Sequence, residues 1–194
     1  MKRANVKRLI SVALAIPGAL MFYDFAAGNT LAMDLLHPSG EFAVRLMILA
    51  MLPGPLVEAF GLSRFLMNWL MIRRNLGVAG FGYALLHLLF YAADMTPAGM
   101  LDELGLPAIW TGWLALALMI PPAAISFDAA VRALGRKWQL LQRLVYAAFM
   151  VSLAHWLLLD WEWLPAALHL LPLALAWSLR LRRRLAISTH RSPA

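Results

Sequence analysis

The segment LGVAGFGYALLHLLFYA, residues 76–92, contains no charged side chain and a single histidine, His87. A helix of this length rises about 25 Å, which is close to the roughly 30 Å of hydrocarbon in a bilayer. Arg73 and Arg74 precede the segment, and Asp94 follows it. The segment therefore predicts a membrane-spanning helix with one ionisable side chain in its interior.

The rest of the chain repeats this pattern. Of its 194 residues, 62% are hydrophobic and 14% are charged, against about 45–50% and 25% in an ordinary soluble domain. This composition excludes a soluble globular protein and predicts one all-α membrane domain over residues 1–194. The predicted spans lie near residues 9–26, 42–60, 76–92, 109–125, 144–159 and 164–179.

The sign of the charged residues alternates from one connection between spans to the next. Sixteen of the 17 basic residues fall on alternate connections, and the other connections carry acidic residues that include Asp160 and Glu162. The positive-inside rule then predicts six helices with both termini in the cytoplasm of a bacterial inner membrane. Orientation and contact with membrane lipid explain the net charge of +7, so no nucleic-acid partner is expected.

Three local patterns add detail. The first span follows MKRANVKR and is expected to be retained, although it resembles a secretory signal. Pro53-Gly54-Pro55 and Pro121-Pro122 are expected to break or kink the second and fourth spans. Residues 126–143 predict an interfacial helix capped by Ser126, with Asp128 paired to Arg132.

The histidines carry the candidate chemistry. The chain has no cysteine, which excludes iron–sulfur clusters, thiolate nucleophiles and disulfides. His87 and His155 each lie 11 residues into their span, counted from Leu76 and Leu144, so both sit about 16–17 Å deep. Two imidazoles from different helices at matched depth can hold a haem iron. The alternative is close helix packing, with each histidine bonded to a carbonyl.

Four other side chains are weaker candidates. His169 is a possible auxiliary ligand, or it donates to a carbonyl, Asp160 or Glu162. His37 is predicted in an outer loop, where it could meet a haem propionate or a quinone, and His190 lies in a polar tail. Arg45 is the basic residue on the opposite side, and it either snorkels to the interface or neutralises a propionate.

Several stretches resemble the ferric reductase-like transmembrane proteins of the MsrQ (YedZ) type. They are RRNLGVAGFGYALLHLLFY at 73–91, TGWLALAL at 111–118, DAAVRALGRKWQLLQRLVYAAFMVSLAHWLLL at 128–159 and, more weakly, HPSGEFAVRLMILAMLPGP at 37–55. The resemblance implies a six-helix, haem-binding inner-membrane subunit that passes electrons to a periplasmic molybdenum enzyme repairing methionine sulfoxide. It carries the haem-ligand positions onto His87 and His155.

One position departs from that family. Gln142 stands where the family usually has a histidine, and an amide is a poor haem ligand. The inner halves of the predicted spans contain no histidine, so we expect at most one haem b per chain. The chain is then expected to be a paralogue with a changed function.

The leading hypothesis is a b-type cytochrome that transfers electrons and is not a self-contained enzyme. No nucleotide-binding glycine motif is present, so a quinol in the membrane or a flavoprotein must donate. FMN or a quinone is a possible second cofactor, and a flavin is expected near Arg73, Arg74 and Arg143. A transporter, an intramembrane hydrolase using Ser152 and His155, and a membrane scaffold are the alternatives.

Overall fold

The structure of this chain is a computed structural model that describes residues 3–160 and 163–190. Within these ranges the chain is helical and contains no strand. The helices are α1 (Arg3–Ala26), α2 (Ala32–Met51), α3 (Pro53–Phe60), α4 (Arg64–Asp94), α5 (Pro97–Glu103), α6 (Pro107–Ala124), α7 (Asp128–Leu134), α8 (Arg136–Gln142), α9 (Leu144–Asp160) and α10 (Trp163–His190).

Six of the described segments are long and apolar enough to cross a bilayer, which confirms the predicted number of spans. Their bounds are Asn5–Ala26, Ala32–Phe60, Arg64–Asp94, Pro107–Ala124, Arg136–Leu159 and Trp163–Ala186. The chain is a multi-pass membrane helix bundle.

The second span begins ten residues earlier than expected. His37 and Pro38 lie inside α2, so the prediction of an outer loop at His37 is wrong. Proline is tolerated inside a membrane helix where other groups satisfy the backbone. The buried Ser39 hydroxyl donates to the carbonyl oxygens of Leu35 and Leu36 at 2.7 and 3.0 Å. These bonds attach the Ser39 hydroxyl to the helical turn that contains Pro38.

The third span is also longer than its apolar core. It begins at Arg64, where the Ser63 side chain caps the helix by accepting from the Leu66 N–H at 3.2 Å. Its 31 residues rise about 46 Å, more than the hydrocarbon thickness. Arg73 and Arg74 therefore lie on the helix itself, which extends beyond the apolar segment.

The proline pairs differ in effect. Pro53 and Pro55 interrupt the hydrogen bonding between α2 and α3, yet Leu52 between these helices keeps helical dihedrals, φ −62° and ψ −44°. By contrast, α6 runs through Pro121 and Pro122 and ends at Ala124. The helix is therefore continuous through the two prolines and ends two residues after them, close to the inner end of the predicted span.

The connection before α9 forms two short helices separated by Gly135, which has a positive φ of 50°. Ser126 does not cap α7, because its hydroxyl donates back to the Pro122 carbonyl at 2.7 Å. Asp128 pairs with Arg74 of α4 at 2.5 Å, and Arg132 is not its ion-pair partner as predicted. A long-range ion pair has replaced the expected local one.

Packing is centred on α2, α4, α6, α9 and α10. Phe90, Phe149 and Leu173 are fully buried in this core. Helix α1 lies at the periphery, with Tyr83 of α4 bonded to it: the phenol accepts from the Gly18 N–H at 2.8 Å and donates to the Leu14 carbonyl at 3.0 Å. The outer faces expose leucine and other large apolar residues, as expected of helices covered by lipid.

Candidate cofactor site

His87 of α4 and His155 of α9 face each other inside the bundle. Their ring centres lie 6.2 Å apart, and their planes meet at 87°. Both rings line a cavity of about 520 Å³ with mostly apolar walls that include Met47, Leu116 and Trp156. The two histidines singled out in the sequence are thus brought together from different helices.

The His87 ring is held against α2. Its Nδ1–H donates to the Leu36 carbonyl at 2.9 Å and lies 3.3 Å from the Ser39 hydroxyl oxygen. A methyl group built on Gly40 would approach Nδ1 to 3.2 Å. The glycine leaves room for the ring beside the helix backbone.

The His155 ring is held against α6 in the same manner. Its Nδ1–H donates to the Ala108 carbonyl at 2.5 Å. A methyl group built on Gly112 would lie 2.8 Å from Cε1 of the ring, inside van der Waals contact. Only glycine fits at position 112 without movement of the histidine.

These hydrogen bonds determine which nitrogen can bind a metal. A carbonyl oxygen only accepts, so Nδ1 of each ring carries the proton and Nε2 carries the lone pair. A metal-binding histidine normally has its second nitrogen bonded in this way. When neutral, the two rings are therefore in the tautomer that ligation through Nε2 requires.

The spacing also fits one metal ion between the rings. Metal–imidazole bonds of about 2 Å, with about 1 Å from each nitrogen to its ring centre, place two opposed ring centres about 6 Å apart. Among the described residues no group of three or more His, Cys, Asp or Glu side chains could hold a metal. With two protein ligands, the remaining ligands would belong to the cofactor, as in a macrocycle.

Glu41, Arg45 and His169 form a polar cluster next to Trp156. The Arg45 guanidinium donates to the Glu41 carboxylate at 2.5 Å and to Nε2 of His169 at 3.0 Å. His169 donates through Nδ1 to the Pro165 carbonyl at 2.7 Å, the carbonyl alternative foreseen for it. Of these residues Glu41 lines the large cavity, and sequence reasoning had treated it only as an outer acid.

His169 and Arg45 are therefore not placed with the histidine pair. Trp156 packs against the His169 ring at 5.2 Å and the His37 ring at 5.9 Å, centre to centre. His37 itself lines the large cavity. The sequence also suggested Asp160 and Glu162 as partners of His169 and placed His190 in a polar tail. The structure does not describe the side chains of these three residues.

The arginine-rich end of the bundle contains a second cavity of about 250 Å³. Arg73, Arg74, Arg180 and Gln142 are among its lining residues. The Gln142 amide donates to the Pro122 carbonyl at 2.9 Å, so it braces the end of α6. Met47 and Met119 line both cavities, which places the two cavities next to each other.

Arginines at this end are paired. The hydrogen bond and charge of Arg74 hold the pKa of the Asp128 carboxyl below its usual value. Arg180 and Arg184 bind the Glu58 carboxylate at 2.7 and 2.9 Å. Because Asp128 is exposed, its pairing contributes little to stability.

Comparison with known proteins identifies the fold. Residues 39–153 match the family described as the ferric reductase like transmembrane component. That match covers α4 with His87 and all of α6, and it ends two residues before His155. The chain belongs to the ferric reductase-like transmembrane family, and within it to the MsrQ type.

Two relatives illustrate the membership. The protein-methionine-sulfoxide reductase heme-binding subunit MsrQ of Rhizobium meliloti is 34% identical over 147 residues, which are 72% of this chain and 66% of the relative. The protein of the same name from Brucella ovis is 33% identical over 162 residues, covering 80% of this chain and 71% of the relative. The chain thus spans about two thirds of the length of these curated relatives.

Sequence reasoning missed the residues that hold the two rings. Ser39, Gly40, Thr111 and Gly112 form hydroxyl–glycine dipeptides on α2 and α6. The repeated dipeptide was a visible signal, but only the tertiary structure shows that each one lies against a histidine.

Proposed function

We propose that this chain is a b-type cytochrome subunit that transfers electrons across part of a bacterial inner membrane. A single haem b would be held by Nε2 of His87 and Nε2 of His155. The observation that supports this most strongly is the opposed imidazole pair, with each Nδ1–H bonded to a backbone carbonyl. The MsrQ relatives are named as haem-binding subunits, which agrees with it.

When bound, haem supplies a one-electron ferric–ferrous couple. The residues of this chain would supply its protein ligands and set their orientation. Leu36 and Ala108 fix the tautomer of the two histidines through their carbonyls. The mostly apolar cavity wall, which includes Met47 and Leu116, would surround the group with few polar side chains.

The electron donor would be a quinol or a separate flavoprotein acting at the arginine-rich end. The second cavity supports this site, because it adjoins the large cavity at Met47 and Met119. Arg73, Arg74 and Arg180 line it, and although Arg74 is paired with Asp128 and Arg180 shares Glu58 with Arg184, the arginines there still outnumber the carboxylates. That balance would suit an anionic group such as the phosphate of FMN. The acceptor would be a partner at the opposite end, of the methionine-sulfoxide reductase type that the relatives' names specify.

The test is a reduced-minus-oxidised visible spectrum of the protein purified from haem-replete cells. We expect the bands of a low-spin b-type haem. A folded, colourless protein would contradict the proposal and would favour a transporter or scaffold with the same fold.

We also propose that both termini face the cytoplasm. The chain has no cysteine, so single cysteines can report which side a position occupies. Ala98 of α5 and Ala133 of α7 are both exposed. A membrane-impermeant maleimide on intact spheroplasts should label Ala98→Cys and should reach Ala133→Cys only after lysis. Labelling of Ala133→Cys in intact spheroplasts would contradict this orientation.

A further inference from the structure

The two helix pairs that hold the histidines share one local construction. Ser39-Gly40 on α2 faces His87, and Thr111-Gly112 on α6 faces His155. In both pairs the hydroxyl residue comes directly before the glycine.

Each hydroxyl bonds to the carbonyl that its histidine uses. Ser39 donates to the carbonyls of Leu35 and Leu36 at 2.7 and 3.0 Å. Thr111 donates to the carbonyls of Pro107 and Ala108 at 2.7 and 2.8 Å. In both cases the carbonyl three residues earlier, Leu36 or Ala108, also accepts the imidazole Nδ1–H.

This sharing sets how strongly each carbonyl attracts the imidazole proton. A carbonyl oxygen has two lone pairs, and an α-helical N–H four residues later uses one of them. The hydroxyl and the imidazole N–H therefore share the second lone pair of the same carbonyl oxygen. The hydroxyl therefore weakens the bond to Nδ1–H and restricts the direction from which the ring approaches.

We infer that Ser39 and Thr111 are positioning residues that hold the two imidazole planes nearly perpendicular and limit their electron donation to the metal. This inference rests on the proposed haem ligation. It predicts that loss of a hydroxyl leaves the carbonyl free to bind the ring more strongly. The ligand then becomes more basic, which favours the ferric state.

The test uses Thr111→Val, which removes the hydroxyl at similar volume, and Thr111→Ser, which keeps it. We expect Thr111→Val to lower the midpoint potential, with up to about a tenfold change in the reduction equilibrium, or about 59 mV for one electron. Thr111→Ser should keep the wild-type value. Ser39→Ala should lower the potential as Thr111→Val does.

Electron paramagnetic resonance of the ferric protein gives a second readout. Nearly perpendicular axial rings, 87° apart here, should give a highly anisotropic low-spin signal. Thr111→Val and Ser39→Ala should convert part of it to a less anisotropic signal as the rings rotate. Ser178→Ala is the matched control, because Ser178 makes the same kind of bond, to the Leu175 carbonyl at 2.8 Å, on the exposed face of α10.

The outcomes separate this inference from the proposed function. Wild-type protein without haem contradicts the proposed function. Wild-type protein with haem, together with Thr111→Val and Ser39→Ala variants of unchanged potential and signal, overturns the positioning role alone. If Ser39→Ala does not accumulate, the Thr111→Val and Thr111→Ser pair decides. A lower potential in Thr111→Val alone supports the role, whereas equal potentials in the two variants, or loss of haem from Thr111→Val, contradict it.

Discussion

His87→Ala and His155→Ala should each abolish the low-spin b-type absorbance of the purified protein. Each variant removes one of the two imidazoles that face each other at 6.2 Å, so a haem held between them would lose one of its two protein ligands. We expect haem content below about a tenth of wild type, because a low-spin b-type haem needs both axial ligands. Visible spectra at equal protein concentration measure the loss.

Two controls make this result specific. His169→Ala removes an imidazole that bonds to Arg45 and Pro165, outside the large cavity, and should retain most of the absorbance. Free imidazole added to His87→Ala should restore part of the low-spin spectrum, because the deleted ring leaves space of its own shape. The assignment would be wrong if His169→Ala lost the absorbance while His155→Ala kept it.

Gly112→Ala should have the next largest effect. The added methyl group would lie 2.8 Å from Cε1 and 3.0 Å from Nδ1 of His155, so either the ring or α6 must move. Overpacking of this kind costs about 1–3 kcal/mol, which weakens binding by about tenfold or more when the ligand itself is displaced. Haem titration of the purified apoprotein measures the change in affinity.

The matched control is Gly82→Ala. Gly82 lies on α4 near His87 in sequence, but a methyl group built there meets nothing within 4 Å. This variant should bind haem as wild type does, and alanine is the better helix former. Equal haem affinity in Gly112→Ala and Gly82→Ala would contradict the proposed contact between His155 and α6.

The sequence allowed the spans and the histidine pair to be predicted for a physical reason. Long apolar runs such as residues 76–92 and 144–159 have few alternatives to a membrane helix. One histidine in each, at equal distance from the basic flank, implies equal depth. Depth is a one-dimensional property, and a linear sequence records it well.

The remaining features depend on contacts between distant segments. Glu41 and Arg45 are one turn apart, but His169, which joins them, comes from α10. Asp128 had a local candidate partner in Arg132 and instead pairs with Arg74. Long-range contacts of this kind are decided by how helices pack, which periodicity does not encode.

The helical turn at His37-Pro38 was missed for a related reason. Proline after histidine favours a loop in an isolated segment. Within the bundle, the Ser39 hydroxyl supports the neighbouring carbonyls and Gly40 lets the His87 ring approach. The segment that was predicted as a loop is therefore part of α2, and it contacts the ring of the proposed ligand His87.

The most direct test of the account is the haem content of the wild-type protein. Haem b, quantified as its pyridine haemochrome, should be compared with chain concentration from amino-acid analysis. We expect a ratio close to one, because His87 and His155 form one opposed pair and the Gln142 amide is bonded to the Pro122 carbonyl. A ratio near two, or no haem in folded protein from haem-replete cells, would contradict it.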